Sequence, residues 1–209
     1  MRKIDYTKAL TIGFLTPCYD FLQKLIGMGD VFYLDIASYI APKNQAEILD
    51  VGTGTGNLAI AVKRKYPKVR IDAIDPDERV LKIADKKIKE RKFGIKLKKA
   101  YAQQIPFGDN HFDFVVSSFA IHHIPRALRR QAFSEMKRVL KKKGIILIVD
   151  FGVPKNLFTK VFTYFLSFLE DVGLNRKNFI FNVLKETDFR DVKEVGSKFG
   201  IFSVYLGKK

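Results

Sequence analysis

The feature that most constrains this chain is an apolar strand that turns through three alternating glycines into a helix. Residues 48–57 spell ILDVGTGTGN, and the apolar run 58–62 follows directly. Because glycine has no Cβ, the backbone of such a loop turns tightly and a bound molecule can approach it closely. This order of elements predicts a loop at the carboxyl end of a parallel strand, where the N-terminus of a helix faces a ligand.

An acidic residue at the end of the next strand narrows the ligand to a nucleoside type. The dinucleotide fingerprint G-x-G-x-x-G, counted from Gly52, needs a glycine at position 57, where this chain has Asn57. Asp75 follows the loop at about the spacing at which an acid binds a ribose. Loop and acid together predict a nucleoside-type cofactor, and the alternative is a tight strand–helix turn without a ligand.

The composition is that of one globular domain. The chain has 209 residues, of which 47% are hydrophobic, so it can bury a core and is not disordered. Cys18 is its single cysteine, which excludes a disulfide within the chain and fits a reducing cytoplasm. No signal peptide is recognisable, and the longest apolar stretch, 157–169, is too short to span a bilayer. We therefore expect a cytoplasmic location.

The formal net charge of +16 leaves three interpretations open. An excess of lysine attracts nucleic acid or an anionic membrane surface, and it is also typical of the solvated surface of a heat-adapted protein. The lysines are spread over predicted outer helices and strand starts. Peripheral association with the inner face of an anionic membrane is one expectation, ahead of nucleic-acid binding.

Apolar strands alternate with amphipathic helices along the rest of the chain. The predicted strands cover residues 47–51, 70–75, 96–100, 112–117 and 145–150, and the helices between them cover 58–65, 78–91 and 126–140. A helix at 157–169, a short helix at 179–185 and a hairpin of strands 192–198 and 202–206 follow. This order predicts an α/β fold with a doubly wound, mostly parallel, seven-stranded Rossmann-like sheet whose final strand is reversed.

The single domain is expected to consist of four segments. An N-terminal helical lid (1–45) precedes the cofactor-binding core (46–152). A helical insertion on the substrate side (153–190) and the C-terminal hairpin (191–209) follow. No linker or low-complexity stretch separates these segments.

Four blocks of this sequence, taken in order, resemble a class I S-adenosylmethionine-dependent methyltransferase, and within that superfamily the ubiquinone/menaquinone-biosynthesis type. The blocks are the glycine loop 48–57, the strand 71–76, the segment 104–115 with His122-His123-Ile124 after it, and the segment 138–150. The N-terminal segment 14–20 is also similar to the family's tyrosine–aspartate segment. The resemblance implies an enzyme that takes a methyl group from S-adenosylmethionine and leaves S-adenosylhomocysteine.

The resemblance also implies cofactor-binding roles. The loop glycines would bring backbone against the methionine and ribose portions, with Asp50 bound to loop amides or to the cofactor's ammonium. Asp75 would accept hydrogen bonds from both ribose hydroxyls, and Pro76 would pack on the adenine. Where the family commonly has an adenine-binding aspartate, this chain has Tyr101, so Gln103, a backbone carbonyl or Tyr101 itself takes that role. The implied set is Asp50, Gly52, Thr53, Gly54, Gly56, Asp75, Pro76, Ala102, Gln103 and Ser118.

The implied reaction requires alignment above all, and a base only when the acceptor must lose a proton. The candidate catalytic residues are His122 and Tyr19. His122 and His123 follow the strand 112–117 at the open end of the sheet, and of this pair we expect His122 to face the site. The alternative is that both histidines only pack or begin a helix. Tyr19 is expected to close over the cofactor rather than to act as a base, and no spacing of His, Cys and Asp predicts a metal site.

The acceptor is expected to be small and hydrophobic. By the resemblance, substrate identity resides in the N-terminal helices and in the insertion after the fifth strand, and both are rich in aromatic residues. The apolar face of helix 157–169 is wider than docking on a sheet requires, which favours a prenylated quinone precursor or another lipid. The alternative is ordinary core together with a homodimer interface. The aromatic residues of the insertion include Phe158, Phe162, Phe165, Phe168, Phe179 and Phe181.

Two further functions fit parts of the sequence. The charge suggests a nucleic-acid methyltransferase, but residues 117–120 read SSFA rather than the Asn/Asp-Pro-Pro-aromatic run of amino-directed base methylases. The other function is that of a non-catalytic, cofactor-binding scaffold protein. The intact glycine loop and Asp75 argue for cofactor binding in either case.

Overall fold

The computed structural model describes residues 27–166 and 178–209, and the fold is defined over these ranges. Most of the predicted N-terminal lid, including Tyr19, lies outside them. The helices are α1 (Asp30–Ala37), α2 (Asn57–Lys65), α3 (Glu78–Glu90), α4 (Arg126–Val139), α5 (Leu157–Leu166) and α6 (Phe179–Glu186). The strands are β1 (Glu47–Val51), β2 (Arg70–Asp75), β3 (Ile95–Lys99), β4 (Phe112–Ser118), β5 (Leu140–Phe151), β6 (Arg190–Lys198) and β7 (Phe202–Lys208).

The seven described strands form one sheet in the order β3-β2-β1-β4-β5-β7-β6. β1 to β5 run parallel, whereas β7 is antiparallel to both of its neighbours, β5 and β6. A short turn joins β6 to β7 as a hairpin, and β7 inserts beside β5 as the reversed strand. The predicted doubly wound α/β sheet with a reversed final strand is confirmed.

The core lies on both faces of this sheet. The central strands are buried on either side, so successive side chains alternate between two apolar clusters. Ile48 of β1 joins the cluster beneath α1, α2 and α3, and the next residue, Leu49, joins the cluster beneath α4 and α6. Continuous apolar runs suit strands that helices cover on both sides, and this is why those runs become the centre of the sheet.

β5 begins earlier than its sequence pattern predicts. The apolar run starts at residue 145, but the strand starts at Leu140. Leu140 pairs with Phe112 and Ile145 with Phe114, so the lysines at 141–143 form an irregularity in the ladder. The lysine run interrupts the apolar pattern, and for that reason the sequence does not reveal the true start of the strand.

The carboxyl ends of the parallel strands meet at one edge of the sheet. Asp50 lies near the end of β1, Asp75 ends β2, Ser118 ends β4, and Asp150 lies near the end of β5. The helix after β1 covers one face of the sheet and the helix after β4 covers the other. This divergence between neighbouring strands creates the crevice in which open α/β sheets bind ligands.

Candidate active site

A cleft opens at this edge, above the carboxyl ends of β1, β2 and β4. It contains about 1090 Å³ of empty space, including open solvent at its mouth. Most residues predicted to bind a cofactor lie on its wall, namely Gly52, Thr53, Gly54, Asp75, Pro76, Ala102, Gln103 and Ser118. Asp50 and Gly56 belong to the same strand–loop–helix segment but lie behind this wall.

Two glycines of the loop serve different purposes. Gly52 has a φ of 71°, and a Cβ there would collide with the Cβ of Ala120, so glycine lets the loop pack against the residues that follow β4. Gly54 has a φ of 55°, and a Cβ there would meet no protein atom within 4 Å. Because Gly54 lies on the cleft wall, its bare backbone is open to a ligand. Gly56 is the N-cap of α2, so that helix begins beside the cleft.

Asp75 joins the end of β2 to the glycine loop. Its Oδ2 accepts a hydrogen bond from the Gly54 amide at 2.9 Å, and its Oδ1 accepts one from the Asp77 amide at 2.9 Å. Burial raises the pKa of Asp75 to about 6, although these two amides oppose the shift. Each carboxylate oxygen has a further lone pair, so the group can accept a pair of hydroxyls at the cleft wall.

Asp50 is buried beneath the loop and only half satisfied. Its Oδ2 accepts a hydrogen bond from the Thr53 hydroxyl at 2.7 Å, while its Oδ1 has no hydrogen-bond partner within the described ranges. Burial raises the pKa of Asp50 to about 7. The Thr53 hydroxyl and the Ala59 amide lower it in part, but neither leaves Oδ1 with a hydrogen-bond partner. A cation or N–H donor would satisfy this oxygen, so the site fits a cofactor that carries an ammonium group.

Gln103 presents a second unsatisfied polar group at the cleft. Its backbone carbonyl accepts a hydrogen bond from Nε2 of Gln131 at 3.0 Å, whereas its own Nε2 is buried and has no partner in the described part of the chain. Tyr101 lies close by on the same wall. A buried amide donor is costly unless a ligand supplies an acceptor, as the ring nitrogens of adenine do.

The two adjacent histidines of the 3₁₀ turn after β4 lie in different surroundings. His123 lies on the cleft wall. His122 is buried behind it, with its Nδ1 2.7 Å from Oδ1 of Asp150 and its ring centroid 4.0 Å from that of His123. The sequence favoured His122 as the histidine on the cleft, but that position belongs to His123, because the Asp150 carboxylate holds the His122 ring on the inside.

Asp150 and Arg129 hold this turn from two sides, and no sequence pattern identified either. Asp150 Oδ2 accepts hydrogen bonds from the amides of Ile121 and His122 at 2.9 and 3.3 Å. Arg129 of α4 is fully buried and donates to the carbonyls of Ile124 at 2.7 Å and His122 at 2.9 Å. Asp150 carried a usable signal, since it is an acid at the end of a buried strand. Arg129 carried none, since it resembles a surface arginine of an amphipathic helix.

The β4 side of the cleft is apolar. Phe119, which follows β4, lies on the wall, with its ring centroid 6.0 Å from that of Phe32 and 4.8 Å from that of Phe202. Phe202 packs in turn against Phe151 at 5.2 Å. These rings suit an apolar ligand. The side chains of Phe158, Phe162, Phe165 and Phe168, which the sequence also assigned to the acceptor, lie outside those described.

Two other sequence predictions concern Tyr19 and metal binding. Tyr19 lies outside the described residues, so its role stays a prediction. Within residues 27–166 and 178–209, no group of three His, Cys, Asp or Glu side chains is arranged to hold a metal ion.

Comparison with known proteins shows which proteins this chain is similar to. Residues 48–144 match the family described as a methyltransferase domain. The ubiquinone/menaquinone biosynthesis C-methyltransferase UbiE of Geobacter sulfurreducens is 29% identical over 220 aligned positions, which cover 93% of this chain and 85% of that protein. The demethylmenaquinone methyltransferase of Thermus thermophilus is 32% identical over 166 positions, or 76% of this chain and 73% of that protein. A structure from Thermotoga maritima, described as a SAM-dependent methyltransferase and possible histamine N-methyltransferase, shares the fold with a TM-score of 0.71 at 19% identity, over 94% of this chain and 97% of that chain.

Proposed function

We propose an acceptor for this chain, which belongs to the class I S-adenosylmethionine-dependent methyltransferases and resembles their ubiquinone/menaquinone-biosynthesis type. S-adenosylmethionine is its methyl donor, and the acceptor is a small hydrophobic molecule of the quinone-precursor class. Two of its relatives are a ubiquinone/menaquinone biosynthesis C-methyltransferase and a demethylmenaquinone methyltransferase. The apolar wall at Phe119 supports the same class of acceptor.

The observation that carries the cofactor assignment is the bond between Asp75 and the open backbone of Gly54. In the proposed complex, Asp75 accepts hydrogen bonds from the ribose hydroxyls while Gly54 lets the cofactor approach the loop. Asp50 Oδ1 offsets the ammonium charge, and Gln103 donates to the adenine. The bound sulfonium supplies an electrophilic methyl group, and the residues of this chain bind and orient it.

His123 is the group best placed to accept a proton from the acceptor. A ring carbon of a hydroquinone is a stronger nucleophile once a neighbouring hydroxyl is deprotonated. His123 lies on the cleft wall, and the His122 ring that Asp150 holds packs behind it. His122 is assigned the role of orienting the His123 ring from behind. Tyr19 keeps its predicted role of closing over the cofactor.

The hydrophobic acceptor also suggests where the protein works. The proposed location is the cytoplasm, with peripheral association with an anionic membrane, for which the net charge of +16 is suited. Within the described ranges, no helix is long and apolar enough to cross a membrane. The alternative to membrane association is a homodimer in which an apolar surface of one copy packs against another copy. None of the relatives named above is described as a nucleic-acid methyltransferase.

Calorimetric titration with S-adenosylmethionine tests the cofactor assignment. Asp75→Asn should weaken binding about 100-fold, because two hydrogen bonds to a charged group each contribute roughly 1.5 kcal/mol. Asp72→Asn is the matched control, since Asp72 lies on the same strand but not on the cleft wall, and it should bind as the wild type does. Equal affinities for all three proteins would refute the ribose role of Asp75.

A transfer assay tests the acceptor and the base. Purified protein receives methyl-labelled S-adenosylmethionine with a short-chain demethylated menaquinol in detergent micelles, and separately with RNA. We expect the label in the quinol. Label in the RNA alone would refute the quinol acceptor and identify RNA as the substrate. His123→Gln should lower kcat about 100-fold without changing cofactor affinity. His111→Gln changes an exposed histidine away from the cleft wall and should leave kcat unchanged.

A further inference from the structure

The backbone is strained at Phe119, the residue directly after β4. Its φ is 53°, in the left-handed region that glycine and asparagine adopt more easily than a bulky aromatic residue does. The Phe119 amide donates a hydrogen bond to the carbonyl of Val149 at 2.8 Å, so the pairing with β5 fixes this backbone in place. Strained residues cluster at ligand-binding sites, and Phe119 lies on the cleft wall.

The residues that follow Phe119 show which part of the cleft it faces. Ala120 packs against the glycine loop, because a Cβ at Gly52 would collide with the Ala120 Cβ. The 3₁₀ turn that carries His123 begins one residue later, at Ile121. Phe119 therefore lies on the wall between a contact to the loop proposed to hold the cofactor and the proposed base. An acceptor must lie in this part of the cleft to receive the methyl group.

Two buried rings hold the Phe119 ring from behind. Phe32 of α1 stacks on it with ring centroids 6.0 Å apart and ring planes at 28°, and Phe202 of β7 meets it edge-on at 4.8 Å and 75°. Phe32 and Phe202 are buried and do not line the cleft, whereas Phe119 is half-buried and does. Because its supports come from two other elements, the ring presents a preformed aromatic surface to the cleft.

The other apolar residues that follow β4 on the cleft wall are aliphatic. Ala120, Ile121 and Ile124 can exclude water from any apolar molecule. An aromatic ring adds an attraction of preferred geometry, since its face is negative and its edge positive, so an offset-stacked or edge-on ring gains from it. An aliphatic lipid would gain burial from this wall but no ring–ring contact. The wall therefore favours an aromatic acceptor.

We propose that the Phe119 ring stacks on the ring of the acceptor and makes this enzyme select a planar aromatic acceptor over an aliphatic one of the same size. The inference rests on the acceptor class proposed above and adds the residue and the contact that determine specificity. The strained backbone and the two supporting rings then hold an aromatic surface beside the point of methyl transfer. The alternative is that Phe119 only fills space between α1 and β7.

Calorimetric titration with two ligands of one carbon skeleton tests this selection without any methyl transfer. The full chain, loaded with S-adenosylhomocysteine, is titrated anaerobically with 1,4-dihydroxynaphthalene, which is planar and aromatic. It is titrated separately with decahydronaphthalene-1,4-diol, which has the same carbon atoms and hydroxyls but is saturated. The wild type should bind the aromatic diol at least about fivefold more tightly, as expected for one aromatic pair. This comparison needs no variant to fold.

Three variants assign the selection to a residue. Phe119→Leu keeps an apolar side chain without a ring, so it should bind the aromatic diol about fivefold more weakly and the saturated diol as the wild type does. Phe119→Tyr restores a ring and should keep the selection. Phe202→Leu is the matched control, because it removes the Phe119–Phe202 contact from the buried side and leaves the cleft wall unchanged. It should lower the thermal stability but keep the selection, since Phe32 and the backbone still hold the Phe119 ring.

The outcomes separate the aromatic selection from the proposed reaction. Equal affinity of the wild type for the two diols, or binding of neither, would overturn the selection. Selection that survives in Phe119→Leu, or that is lost equally in Phe119→Leu and Phe202→Leu, would overturn the role of Phe119. Methyl transfer to a quinol by a wild type that does not prefer the aromatic diol overturns only the selection. Selection that depends on Phe119, without transfer to any quinol, overturns only the proposed reaction.

Discussion

Two buried aspartates at the same edge of the sheet are in opposite electrostatic states. Asp50 has one oxygen without a partner among the described residues, and burial raises its pKa to about 7. Asp150 is equally buried, which by itself raises its pKa, but the charge and hydrogen bond of His122 and the Phe151 amide outweigh burial and lower it. One acid still lacks a donor, and the other already has several.

The difference separates ligand binding from positioning. A donor or cation that bonds to the free oxygen of a half-satisfied carboxylate stabilises the complex, so such a carboxylate suits a binding site. A ligand cannot stabilise a carboxylate whose oxygens already have their hydrogen bonds. Asp150 is of this kind, and it holds the turn that carries His122 and His123. In the proposed mechanism, cofactor recognition therefore belongs to β1 and β2, and the orientation of the acceptor's base belongs to β4 and β5.

The largest expected effect is the pH dependence that Asp50 imposes on folding. Its pKa is about 7 in the folded protein against 3.8 for an unperturbed carboxyl group, so the folded state holds a proton that the unfolded chain releases. The free energy of unfolding should fall as pH rises from about 4 to about 7, by up to about 4 kcal/mol from this group. Asp50→Asn should remove that part of the slope, which urea unfolding at pH 5 and pH 8 measures. Identical slopes in variant and wild type would contradict the half-satisfied state of Asp50.

Asp150→Asn removes the charge of the satisfied acid and should lower the free energy of unfolding by about 3 kcal/mol. Asparagine keeps the shape but lacks the charge that holds His122 and the turn amides. Urea unfolding measures the loss. Asp109→Asn changes a surface acid that pairs with Arg138, and it should cost less than about 1 kcal/mol. If both variants lose equally little, Asp150 does not hold the turn and the contrast with Asp50 fails.

Cofactor binding should release a proton on the Asp50 side of the cleft. Because an ammonium group favours the ionised carboxylate, the affinity for S-adenosylmethionine should rise about fivefold from pH 6 to pH 7, below the range in which the ligand's own ammonium group loses its proton. Calorimetry at one pH in two buffers of different ionisation enthalpy counts the released protons. Asp50→Asn should bind more weakly and release fewer protons. Binding by the wild type without proton release would show that the cofactor leaves Asp50 protonated.

The smallest expected effect on stability is that of Gly54→Ala. An added Cβ meets no protein atom within 4 Å, so only the positive φ opposes it, and the loss should be about 1 kcal/mol. Gly52→Ala adds a collision with Ala120 and should cost clearly more in thermal unfolding. Gly54→Ala should nevertheless weaken cofactor binding strongly in calorimetry. Unchanged cofactor affinity would mean that Gly54 does not face the ligand.

Local sequence patterns were sufficient for strands β1 and β2, to which the proposed cofactor site belongs. The strands 47–51 and 70–75 are β1 and β2 with the predicted bounds, because each is a short apolar run with an acid at its last or last-but-one position. The comparisons confirm the predicted family and its cofactor. The start of β5 was missed because lysines at 141–143 interrupt its apolar run. Of the predicted residues of the glycine loop, Gly52, Thr53 and Gly54 lie together on the cleft wall because they are contiguous in the chain.

The sequence by itself determined the order of strands and helices, the glycine loop, and the acids at the ends of β1 and β2, because these depend on residues close together in the chain. Only the tertiary structure decided that His123, rather than His122, lies on the cleft wall, since the carboxylate that holds His122 belongs to Asp150, 28 residues away. It also decided that Arg129 is buried, because its guanidinium bonds to carbonyls of the turn that folds over it. A local sequence pattern does not say which of two adjacent side chains faces the cleft. Buried charged groups that the fold brings together from distant segments decide it.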